Sequence, residues 1–73
     1  MMRQFLEHDL RRAERRVREA ERHVSRQKAL VARFEALGQE HEIQIARERL
    51  VVLDTALASA RDLLNRQRTT RQS

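Results

Sequence analysis

Ala36-Leu37-Gly38-Gln39 holds the single glycine of a 73-residue chain that has no proline. A helical pattern runs on each side of it, and the two patterns are out of phase across Gly38. Upstream, Leu6, Leu10, Ala13, Val17, Ala20, Val24, Gln27, Val31 and Phe34 recur in alternating steps of four and three, with eight of the nine apolar. A mean period of about 3.5 marks a coiled-coil seam rather than the wider stripe of a globular helix. Continued past Phe34, the same alternation lands on Gly38, His41, Ile45, Glu48, Val52, Thr55, Ser59 and Asp62, a mostly polar face. A new phase through Ile43, Ala46, Leu50, Leu53, Leu57, Ala60, Leu64 and Gln67 is apolar at seven of eight positions. One uninterrupted helix would therefore waste its second half.

Glycine readily takes the left-handed conformation just past a helix end, so Gly38 is read as the hinge of a hairpin. Glu40 and Glu42 then fall in the first turn of the second helix, where the helix dipole favours negative charge. The fold expected is all-α: an antiparallel two-helix coiled-coil hairpin that dimerises into a four-helix bundle. Residues 1–73 form one unit, with a helix over about 3–37, a turn near 38–40, a helix over about 41–67 and a frayed basic tail at 68–73. Folded about Gly38, the seams mesh in layers that oppose Phe34 to Ile43, Val31 to Ala46, Val24 to Leu53, Ala20 to Leu57 and Ala13 to Leu64. Small residues meet large ones in several layers, which fills space evenly. Beside the seam, Glu14–Arg68, Glu21–Arg61, Lys28–Asp54 and Glu35–Arg47 are complementary. Within the helices, Glu7–Arg11 and Glu14–Arg18 have the favoured acid-first order. Gln27 is the polar seam residue, of the kind that fixes register at some cost in stability.

The second helix has more apolar surface than one partner covers. Ile45, Val51, Val52, Ala56 and Leu63 lie outside its seam, and the first helix adds Leu30 and Leu37. So wide an arc packs against more than one neighbour, and a chain this short buries little by itself. Ile45, Val52, Ala56, Leu63, Leu30 and Leu37 are the candidate oligomer interface of a homodimer.

Fifteen arginines and one lysine against eleven acids give a net charge of +5. Arg11 to Arg26 holds seven arginines and three glutamates. The open end of the hairpin is accordingly basic, and the turn end carries Glu35, Glu40, Glu42 and Glu48. Arg11, Arg12, Arg15, Arg68 and Arg71 are candidate phosphate-binding residues. A solvated, salt-bridged surface or a GC-rich genome accounts for the same arginines. The interleaved glutamates and the lack of a helix-turn-helix or of a stacking Tyr or Trp argue against nucleic acid, which is the less favoured partner.

His8, His23 and His41 are dispersed, and no histidine or carboxylate spacing of a metal site occurs. Three consecutive residues such as Glu40-His41-Glu42 point different ways on a helix. His23, beside Val24, reads as a packing or hydrogen-bonding residue. With no cysteine, no Gly-rich phosphate loop, no nucleophile motif and no concave scaffold, the sequence calls for no cofactor, no metal and no enzyme. Arg3, Glu7 and Asp9 interrupt any signal-peptide core, and Leu50-Val51-Val52-Leu53 is far too short to span a bilayer. A cytoplasmic protein with no membrane partner is expected.

The stretch Ala13-Glu14-Arg15-Arg16-Val17, then Ala20-Glu21-Arg22-His23-Val24-Ser25-Arg26-Gln27, then Leu30-Val31-Ala32 and Phe34-Glu35 before the glycine resembles short helical-hairpin proteins of alphaproteobacteria such as rhizobia. Those proteins share an Ala-Glu-Arg-His-Val run, an Arg-Gln pair and a glycine turn. Where they tend to have Gly-His-Asp, this chain has Gly38-Gln39-Glu40-His41. The resemblance covers most of the chain and implies a bacterial cytoplasmic origin. It transfers no activity and no site residue. The function expected is a non-enzymatic interaction or regulatory module with a protein partner still to be identified.

Overall fold

A computed structural model describes residues 2–72, with side chains over 7–69. Helix α1 runs Met2–Leu37 and helix α2 runs Glu40–Gln72, and among the described residues there is no strand. The two helices pack against each other as an antiparallel hairpin measuring 55 × 13 × 13 Å.

Gly38 ends α1 as expected, with φ of 67°. Its N–H donates to the Glu35 carbonyl, and the Gln39 N–H donates to the Phe34 carbonyl, both at 3.1 Å. This pair of bonds is a Schellman closure, which satisfies carbonyls that a helix end leaves without partners. Gln39 serves two helices, because its carbonyl accepts the first α2 bond from the Ile43 N–H at 2.9 Å. Glutamine is not a favoured N-cap. Glu40 and Glu42 occupy the first turn of α2, where their charge complements the exposed N–H groups.

Among the described residues, the ten that are buried lie on the two expected seams: Leu10, Ala13, Val17, Val24, Gln27 and Val31 on α1, and Ile43, Ala46, Leu57 and Leu64 on α2. Ala20, Phe34, Leu50, Leu53, Ala60 and Gln67 complete them as half-buried positions. Leu6, the first seam position, has its side chain outside the described residues. A core cluster joins Leu10, Ala13, Val17, Val24, Leu57 and Leu64, with Ala20, Leu50, Leu53 and Ala60 against it. Val31, Ile43 and Ala46 are buried on the turn side of Gln27, outside that cluster.

Gln27 separates the two regions and crosses the interface. Its Nε2 donates to the Ala46 carbonyl at 3.0 Å. Helix carbonyls point toward the C-terminus, so the Ala46 oxygen is displaced from Ala46 toward Leu50, the residue the seam register places opposite Gln27. A glutamine at this depth costs stability unless its amide is bonded. Bonded to one particular main-chain oxygen, it makes neighbouring registers less favourable.

The helix continues to Gln72, beyond the expected end near 67. Residues 68–72 contain neither glycine nor proline, and Thr69 Oγ1 donates back to the Asn65 carbonyl at 2.9 Å. Cations at a helix C-terminus also suit its dipole. Polarity alone is no helix stop.

Candidate functional site

The hairpin has three distinguishable outer surfaces. The first is ionic. Glu21–Arg61 and Glu35–Arg47 approach to 3.9 and 3.6 Å across the helix interface, two of the four expected pairs. Lys28 and Asp54 flank the same shallow depression as Glu21 and Arg61 without closing an ion pair, and Glu14–Arg68 is also open. Arg66–Asp62 closes within α2 at 2.7 Å, whereas Glu14–Arg18 does not close. Exposed pairs of this kind contribute about 0–1 kcal/mol, so this flank supports the register without dominating stability.

The second surface is an apolar groove of about 440 Å³ on the opposite flank. Ala20, Leu53, Ala56 and Ala60 form its floor, with Leu63 and Ser59 on the α2 side. Arg16, Glu19 and His23 line the α1 rim. His23 is exposed rather than packed into the seam, which revises the packing role expected for it. Small side chains at four positions keep the helices' apolar interior open to water here. Leu53 and Ala60 consequently remain half-buried although they belong to the core seam.

Ile45, Val52, Leu30, Leu37 and Leu63 are exposed large apolar residues, and Ala56 is exposed as well. All six residues expected at an interface are therefore uncovered in the hairpin. The excess is measurable. The hairpin presents 6179 Å² of surface, whereas a compact globular protein of its 8.7 kDa mass presents about 4700 Å². Its radius of gyration is 16.5 Å, against about 11 Å for a compact domain of this length.

The third surface is basic. Arg11, Arg15, Arg18 and Arg22 are exposed in steps of four, three and four, a single stripe about 16 Å long on the outer face of α1. The glutamates interleaved with them in sequence are sorted away from it. Glu21 turns to Arg61, Glu19 lies on the groove rim and Glu14 is half-buried. The recurrence of Glu7, Glu14, Glu21 and Glu35 at multiples of seven residues was the signal for this sorting, and sequence order hid it. Arg12 Nη2 lies 3.3 Å from His8 Nε2. Arg68 is exposed at the same end of the hairpin, and the Arg71 side chain lies outside the described residues.

Among the described residues, no group of three His, Asp or Glu side chains could hold a metal ion, and no helix is long and apolar enough to cross a membrane. His41, Glu40 and Glu42 are all exposed and share no site. Comparison with protein-family models, curated proteins and solved structures gives no match for this chain.

Proposed function

We propose that this chain is a non-enzymatic interaction module that works as a helical homodimer, two hairpins meeting in a four-helix bundle. The observation that carries this reading is the uncovered apolar surface of α2. Among the described residues, nine apolar ones are buried in the hairpin, two of them alanine, a small core to set against an ordering cost of about 1–2 kcal/mol per residue. The excess exposed area, roughly 1500 Å² per chain, is more than the about 800 Å² that a standard interface hides on each partner. A dimer leaves the outer faces of both α1 helices free for a further protein partner. Light scattering tests the reading directly: a dimer or higher oligomer is expected, and a stable monomer at tens of micromolar overturns it.

The exposed arginine stripe, with glutamates on its flanks, favours a second reading, a basic accessory protein on DNA or RNA phosphates. Spacing Arg11, Arg15, Arg18 and Arg22 along one face suits a polyanion that runs along the helix, with Glu14 and Glu19 displaced to the flanks of that line. Contacts of this kind read charge and not base sequence. A gel-shift titration across salt is the test. Binding that weakens steeply with salt supports it, and no binding at low salt removes it.

A further inference from the structure

The exposed face of α2 is divided into two unlike halves. The turn-proximal half carries protruding residues, Ile45 and Val52, which are more than half exposed. The distal half carries the groove, lined by Ala56, Ser59 and Ala60. Together Ile45, Arg49, Val52, Ala56, Ser59 and Leu63 are spaced four, three, four, three and four, a series identical in both directions and centred on Asp54. Such a seam is complementary to itself under a twofold axis perpendicular to the helix. We infer that two copies pair α2 against α2 in antiparallel register about Asp54, the protrusions of each filling the groove of the other. The inference rests on the homodimer reading and adds its geometry.

In this register Ile45 of one copy lies opposite Leu63 of the other, Val52 opposite Ala56, and Arg49 opposite Ser59. Val52 and Ile45 of one copy thereby cover Ala56 and Leu63 of the other, two residues of the groove lining. Alternatives are worse for identifiable reasons. A parallel pair stacks Arg49 on Arg49 within the seam, with like charges directly opposed. Sliding the antiparallel pair one heptad toward the turn sets Leu63 over Gly38. Sliding it the other way sets Arg49 against Arg66 and leaves Ile45 over Thr70. Pairing through α1 would bring Arg16, Arg26 and Arg33 of both copies together. Only the register about Asp54 covers every apolar seam residue without opposing like charges, as an isologous interface requires.

The chain has no cysteine, so introduced thiols report cleanly. The Ile45→Cys/Leu63→Cys double variant is expected to form a disulfide-linked dimer under mild oxidation, and neither single variant is. Disulfides need Cα atoms about 4.4–6.8 Å apart, whereas positions 45 and 63 within one helix are about 27 Å apart. A second measurement leaves the seam intact. A nitroxide on Gln44→Cys, an exposed position off the seam, is expected to report a spin–spin distance of about 30 Å or more in the dimer, from the axial offset of the two sites. A dimer by light scattering with a Gln44 distance below about 20 Å, or rapid cross-linking of Ile45→Cys alone, overturns the register and leaves the homodimer standing. A monomer of the unmodified chain overturns both.

Discussion

Gln27 on α1 and Ala46 on α2 are joined by a hydrogen bond of 3.0 Å from the side-chain amide to the main-chain carbonyl, the one buried polar link across the hairpin among the described residues. The Ala46 carbonyl also takes the Leu50 N–H within α2, so removing Gln27 strands no acceptor. Gln27→Leu is therefore expected to change stability by no more than about 1 kcal/mol in either direction. Its effect falls on uniqueness: the continuous apolar seam tolerates neighbouring registers. Urea unfolding reads the first quantity, and additional or broadened amide resonances read the second. A variant with one sharp set of native-like resonances would show that the ion pairs and turn suffice to fix register.

Gly38→Ala isolates the turn. A Cβ built on Gly38 meets no atom within 4 Å, so the penalty comes from the backbone alone. At φ of 67° an alanine is strained, and a loss of about 1 kcal/mol or more is expected in thermal or denaturant unfolding. Gly38→Asn should lose less, since asparagine visits this region more readily. Unchanged stability in Gly38→Ala would place the turn elsewhere.

Core and flank should respond on different scales. Leu57 is buried in the main cluster, and Leu57→Ala is expected to cost about 2–4 kcal/mol, enough to unfold a small hairpin. Glu21→Gln removes an exposed pair at 3.9 Å and is expected to cost well under 1 kcal/mol, less again at high salt. Equal losses in the two variants would contradict a seam-dominated fold.

Val51 and Val52 provide an internal control for the dimer. They are adjacent and 64% and 66% exposed in the hairpin, so the single hairpin treats them alike. Only Val52 lies on the second seam. Val52→Glu is expected to shift the chain to monomer or to unfold it at concentrations where Val51→Glu remains a folded dimer, as read by sedimentation and circular dichroism. The same outcome for both would remove the seam. Leu63→Glu should behave as Val52→Glu does.

Periodicity alone determined the hairpin. Every buried residue among those described falls on a seam legible in the sequence, and the change of phase at Gly38 located the turn, because a 3.5-residue repeat shows its partner only one face. Local pattern could not locate the end of α2. Polar composition resembles fraying, yet nothing in residues 68–72 forbids a helix. Nor could sequence order reveal how charge is distributed. Glu14, Glu19 and Glu21 interrupt the arginines along the chain but leave the outer face of α1 because helical rotation carries them to other sides. Tertiary structure also decided the partner of Gln27, which the seam marked as polar without naming an acceptor. The groove at Ala20, Ala56 and Ala60 arises from the same cause. Whether small residues pack tightly or leave a hollow depends on what two helices set beside them, and that is decided only when they pack.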